Sequence, residues 1–181
     1  LPNMKKILFI SFLMFCFAFN SNAQDTKSLP TQYQEAMKKI LSNVPSVATS
    51  SASQVLDFAK SLIGVPYRYA TSNPNKGFDC SGFVNYVFTN FGFKVPRSSP
   101  EFANAGTPVK LSEAKVGDVL IFTGSNSKQR RPGHVGIIYS IDENGSIKFI
   151  HSSSGKAKGV TVTDLDGHYK TRFLKAVTVV E

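Results

Sequence analysis

Residues 79–91 carry the feature that most limits how this chain can fold. Asp79 stands directly before Phe83, Val84, Val87, Phe88 and Phe91, apolar positions at the spacing of one helical face. Asp is a good N-cap, so a helix opens at Cys80 and must bury its apolar face against another layer. Cys80 then sits in the first turn, where unpaired N–H groups and the positive end of the helix favour a thiolate. Gly77 and Gly82 are expected to let a substrate backbone approach the turn. The competing reading is a cysteine buried as a small hydrophobe.

Around this helix the pattern is readable in order. Val55, Leu56, Ala59, Leu62 and Ile63 predict an amphipathic helix capped by Ser51 or Ser53 and stopped at Gly64. Val65–Tyr69 is extended, and Thr71–Lys76 is a polar loop. The Cys80 helix ends at Asn90-Phe91-Gly92, and Val95–Pro100 has too much proline for a regular element. A short helical or irregular stretch leads to the Lys115–Asp118 turn. Val119–Phe122 reads as a strand buried on both faces, followed by strands at His134–Tyr139, Ser146–His151, Val160–Leu165 and Arg172–Val180. In an antiparallel hairpin with an even-length loop, an even position faces an odd one, so His134 and His151 project from the same face. A four-residue loop, Ile141 to Asn144, would set them opposite.

The first residues read as a processing signal: Lys5 and Lys6, an apolar run from Ile7 to Phe19, then Ser21-Asn22-Ala23. Cleavage is expected after Ala23, and the run is too short to span a bilayer as a stable helix. Leu13-Met14-Phe15 before Cys16 lacks the small residues that precede a lipidated cysteine. The expected organisation is a leader at 1–23, a polar tether at 24–51 and one domain at 52–181. Removing the leader leaves Cys80 as the lone cysteine, unable to form an internal disulfide. The formal net charge of +9, two lower without Lys5 and Lys6, suits a polyanionic surface such as a cell wall. No nucleic-acid motif accompanies it.

Cysteine hydrolysis of an amide needs a thiolate, an imidazole that handles its proton and a third group that orients the ring. Cys80, His134 and His151 can fill those roles, while His168 reads as an ordinary core or surface residue. Cysteine and histidine also bind zinc, but one Cys and two His lack the close paired spacing of a zinc site, so neither metal nor cofactor is expected. In the Lys128-Gln129-Arg130-Arg131 loop, a solvated charge run is favoured over contact with anionic polymer.

Gly64-Val65-Pro66-Tyr67-Arg68-Tyr69, Phe78-Asp79-Cys80-Ser81-Gly82-Phe83, Pro96-Arg97-Ser98-Ser99, Gly117-Asp118-Val119, and Pro132-Gly133-His134-Val135-Gly136-Ile137 followed by Phe149-Ile150-His151 together resemble the NlpC-type cell-wall cysteine peptidases. The resemblance covers roughly residues 52–181. It implies a papain-like α+β fold, with the nucleophile helix packed on a central antiparallel sheet that carries both histidines. It also implies hydrolysis of peptidoglycan stem peptides, usually at the bond between D-γ-glutamate and the diamino acid; with the leader, the expected protein is an exported monomer. Cys80 matches the nucleophile, His134 the base and His151 the third polar residue. Tyr67 matches a tyrosine that helps the Cys80 N–H hold the oxyanion. Asp79, Ser81 and Ser99 match positions that contact the stem peptide, although Asp79 also reads as the N-cap. The Gly-Gly that often follows the tyrosine segment is Ala70-Thr71 here, and Phe102 stands where many members carry glutamine. Two other readings stay open: an inactive wall-binding module of the same fold, and an amidase or acyltransferase with the same triad.

Overall fold

In the computed structural model, residues 47–179 are described. The expected leader, Cys16 and the tether up to residue 46 lie outside them. The first helix, α1, spans Val47–Ser61. Its start precedes Ser51 and Ser53, so neither is its cap. From Val47 to Ser53 the sequence holds no proline or glycine, and nothing halts the helix before those serines. Gly64, at φ +90°, takes the left-handed conformation that follows a helix C-terminus.

Two-residue strands β1 (Ser72–Asn73) and β2 (Gly77–Phe78) pair as a small hairpin, β1 lying within the Thr71–Lys76 stretch expected to be a polar loop and β2 directly after it. It delivers the chain into α2, Cys80–Thr89. Asp79 is the N-cap as expected, its Oδ1 accepting the Gly82 N–H at 2.6 Å. The proline-rich segment ends in a short helix, α3 (Ser99–Phe102), because Pro100 sits in the first turn, where a missing N–H costs nothing.

The remaining elements build one antiparallel sheet with strand order β3-β8-β4-β5-β6-β7. The strands are β3 Thr107–Val109, β4 Val119–Thr123, β5 Pro132–Ile141, β6 Ile147–Ser153, β7 Gly159–Asp164 and β8 Phe173–Thr178. A short helix, α4 (Gly167–Arg172), precedes β8. Neither β3 nor α4 is signalled by periodicity; β3 exists because it pairs with β8. Every residue of β4 is buried, as its unbroken apolar run requires. Val119, Ile121, Val135, Ile137 and Ile150 join α1 and α2 in one core. Leu120, Phe122, Ile138, Phe149 and Ala176 form a second core. The architecture is α+β, with the Cys80 helix packed on the sheet.

One irregularity decides where the histidines point. Ile141 pairs with Ile147, so the β5–β6 loop is five residues, an odd length that would send His134 and His151 to opposite faces. The register slips by one around Tyr139, and beyond it Ile138 pairs with Phe149 and Ile137 with Ile150. This bulge returns both imidazoles to one face. The expected even loop is therefore incorrect, while the shared face it predicted is observed.

Candidate functional site

Cys80, the first residue of α2, is 8% exposed. Its Sγ lies 3.4 Å from Ser99 Oγ and 4.0 Å from the Gly133 carbonyl oxygen. Gly133 precedes His134, so the helix N-terminus meets β5 where that strand presents its histidine. His134 Nε2 and His151 Nδ1 are 2.9 Å apart, and His151 Nε2 is 2.9 Å from Thr163 Oγ1 on β7. The histidine pair is bonded directly, and the sulfur reaches the backbone one residue away.

Protons can be assigned to this relay in two ways. If His134 donates from Nε2 to His151 Nδ1, and His151 donates from Nε2 to Thr163, His134 Nδ1 is left as a base. The reverse assignment, starting from the Thr163 hydroxyl, protonates Nδ1 and leaves no base. Burial, followed by His151, Arg172 and His168, holds the His134 pKa well below the usual histidine value. Burial and then Arg172 push His151 down to about 3. The burial is aromatic: Phe149 lies 4.6 Å from the His151 ring, and Tyr169 5.2 Å from it and 5.9 Å from His134. Both imidazoles rest neutral, the form able to accept a thiol proton.

Cys80 opens into a groove of about 540 Å³ lined by Tyr67, Tyr69, Asp79, Ser81, Ser99 and Gly133, among others. Burial, then the neighbouring Cys80 and Asp79, raises the Tyr67 pKa and keeps the phenol a donor. Asp79 is bound twice over. Arg97 forks onto it, Nη1 to Oδ1 at 3.0 Å and Nη2 to Oδ2 at 2.8 Å, and also donates to Ser81 Oγ at 3.2 Å. The network that holds Asp79 and Ser81 is thus internal, and Ser99 touches the nucleophile itself.

Gly77 and Gly82 do not open the turn to substrate. A Cβ on Gly77, at φ +118°, would lie 2.5 Å from the Pro66 carbonyl oxygen, and one on Gly82 2.2 Å from that of Thr71. Both make room for the chain's own backbone. Phe102 is fully buried in the core. Arg130, in the basic loop, donates to the carbonyls of Thr171 and Phe173 and ties that loop to β8.

Sequence reasoning assigns no role to Arg97, Thr163 or Arg172. Arg97 lies 18 positions from Asp79, and Arg97, Thr163 and Arg172 all meet their partners only once the chain is folded. Among the described residues, no group of three His, Cys, Asp or Glu could hold a metal, and no helix is long and apolar enough to cross a membrane.

The sequence profile of the NlpC/P60 family matches residues 64–179. The gamma-DL-glutamyl hydrolase of Bacillus subtilis (strain 168) is 33% identical over 117 residues, covering 65% of this chain and 27% of that protein. The peptidoglycan endopeptidase RipB of Mycobacterium tuberculosis (strain CDC 1551 / Oshkosh) is 34% identical over 143 residues, covering 66% of this chain and 59% of that one. The crystal structure of an NlpC/P60 family protein from Bacillus cereus ATCC 10987 superposes with a TM-score of 0.63 at 24% identity, over 76% of this chain and 42% of that chain. The chain spans between 27% and 56% of the first curated relatives it matches.

Proposed function

This chain belongs to the NlpC/P60 family, and on that premise we propose that it is an exported cysteine endopeptidase that cuts peptidoglycan stem peptides, with Cys80, His134 and His151 as its triad. The observation that carries the reading is the meeting of a cysteine at a helix N-terminus with the strand that carries His134, whose neutral imidazole is bonded to that of His151 on the next strand. The names of its relatives, one a gamma-DL-glutamyl hydrolase and one a peptidoglycan endopeptidase, support the substrate class. The bond assigned is the one between D-γ-glutamate and the diamino acid. Residues 1–23 are assigned as the export signal, 24–51 as a tether whose last residues from Val47 already belong to α1, and 52–181 as the catalytic domain.

In the proposed reaction His134 Nδ1 takes the Cys80 proton as the sulfur attacks the scissile carbonyl carbon. The carbonyl electrons move to oxygen, where the Cys80 N–H and the Tyr67 hydroxyl donate to the oxyanion. His151 steadies the imidazolium through the bond to Nε2. Collapse breaks the C–N bond, and His134 returns the proton to the departing amine. Water, deprotonated by the same imidazole, then splits the thioester and frees Cys80. Asp79 and Ser81, held by Arg97, and Ser99 shape the acyl side of the groove. Digestion of purified disaccharide peptides followed by product mass analysis tests this. A fragment ending in γ-D-glutamate is expected; cleavage between sugar and peptide, or transfer without hydrolysis, would instead indicate the amidase or acyltransferase.

A further inference from the structure

A second groove, of about 530 Å³, lies against His134 and is lined by Ser153, Lys156, Thr163, His168 and Arg172, among others, with no acidic side chain among its described lining residues. At its wall stands an unusual charge. Arg172 is 8% exposed, and its Nη2 donates to the Thr123 carbonyl at 2.8 Å and its Nη1 to His168 Nε2 at 3.0 Å. Its guanidinium carbon lies 5.3 Å from the centre of the Tyr169 ring, and its buried Nε has no hydrogen-bond partner. None of these partners carries negative charge, and among the described residues no carboxylate pairs with Arg172. A buried cation without a counter-charge is costly to keep. Arg97 in the neighbouring groove, although more exposed, is fully paired with Asp79.

The reaction gives this second groove a direction. His134 must reach the leaving nitrogen to protonate it, so the departing half of the substrate extends past His134, away from the Cys80 groove. Resting on the peptidase reading, we propose that the Arg172 groove receives the departing fragment and binds a carboxylate on it, with Arg172 as the principal partner and Lys156 at the rim. Two of the five donors of the guanidinium are committed to Thr123 and His168. Arginine suits a planar carboxylate because its donors are arranged as a fork.

The test uses the full chain carrying Cys80→Ala, so that binding is read without turnover. Lysyl-D-alanine and its C-terminal amide are titrated by calorimetry and by NMR. The acid is expected to bind about tenfold or more tightly than the amide, the scale of one charged hydrogen bond, with shifts at Thr163, Tyr169 and Arg172. Arg172→Gln should reduce that preference to within about twofold, and Arg172→Lys should keep part of it. Should the glutamine variant not fold, the acid preference and the mapped shifts in the Cys80→Ala protein decide the matter. Equal binding of acid and amide, no binding of either at about 10 mM, or shifts confined to the Cys80 groove would overturn the proposal. Because no bond is cut, a wild-type protein that fails to cleave wall peptides would sink the peptidase reading without altering this result.

Discussion

The Cys80 groove, which reaches Gly133, and the groove lined by the following residue, His134, differ in how their charges are settled. In the Cys80 groove a carboxylate and a guanidinium meet in a fork, and the same Asp79 oxygen caps the helix that carries the nucleophile. In the other, Arg172 is bound to a carbonyl and an imidazole, and among the described residues no carboxylate pairs with it. The first is internally neutralised and therefore preorganised, with polar groups aimed by their partners before any substrate arrives. The second is electrically open, and its charge bears on both histidines. A site can thus hold one half of a ligand by fixed geometry and the other by unsettled charge.

The relay between the grooves is the place to break this picture hardest. His134→Gln removes the proton acceptor shared by both sides and is expected to lower kcat on stem peptides about a thousandfold. A melting temperature within a few degrees of wild type would assign that loss to chemistry. On the Cys80 side, Asp79→Ala removes a helix cap and strands Arg97. Because the Arg97 side chain is 40% exposed, its pairing is partly screened, and the expected cost is about 1–3 kcal/mol in urea denaturation. A cost of that size for Arg97→Ala as well would show that the ion pair, more than the cap, holds the turn.

Acid sharpens the contrast. Both imidazoles are neutral when folded, whereas in the unfolded chain they titrate near about 6.5. Below that pH the unfolded state binds more protons, so their contribution to stability is complete above it and declines as pH falls toward about 3, the folded value for His151. Chemical denaturation between neutral and acid pH should show this decline, flattened in His151→Gln. The smallest effect is expected at the rim of the Cys80 groove, where Ala70 adopts φ +57°. A non-glycine residue there is strained by about 1–2 kcal/mol, partly offset in Ala70→Gly by the entropy glycine loses on folding. A net gain of about 0.5–1 kcal/mol is expected, read as a rise in melting temperature.

Elements with strong local signals are legible in the sequence. The Asp79 cap, the apolar face of α2 and the unbroken run of β4 follow from periodicity and side-chain chemistry, whereas the shared face of His134 and His151 is expected from an even-length loop that the fold does not have. The shared face arises from a different local cause, because the bulge at Tyr139 offsets an odd loop, and a bulge leaves no periodic trace. Gly77 and Gly82 read as openings in the sequence, yet they serve packing against Pro66 and Thr71, contacts that only the folded backbone creates. Arg172 lies 49 positions from the carbonyl it binds, and Arg97 18 from its carboxylate. Such pairs form through tertiary structure, so no short window of sequence contains both members.

The central claim is that the Cys80 sulfur, brought to the strand bearing His134 and through it to His151, is the nucleophile of a wall peptidase. Purified peptidoglycan incubated with the wild-type chain and with Cys80→Ala tests it by the amount of stem peptide released. Release by the wild type with none above background from the alanine variant is the predicted result; equal release by the two would contradict it.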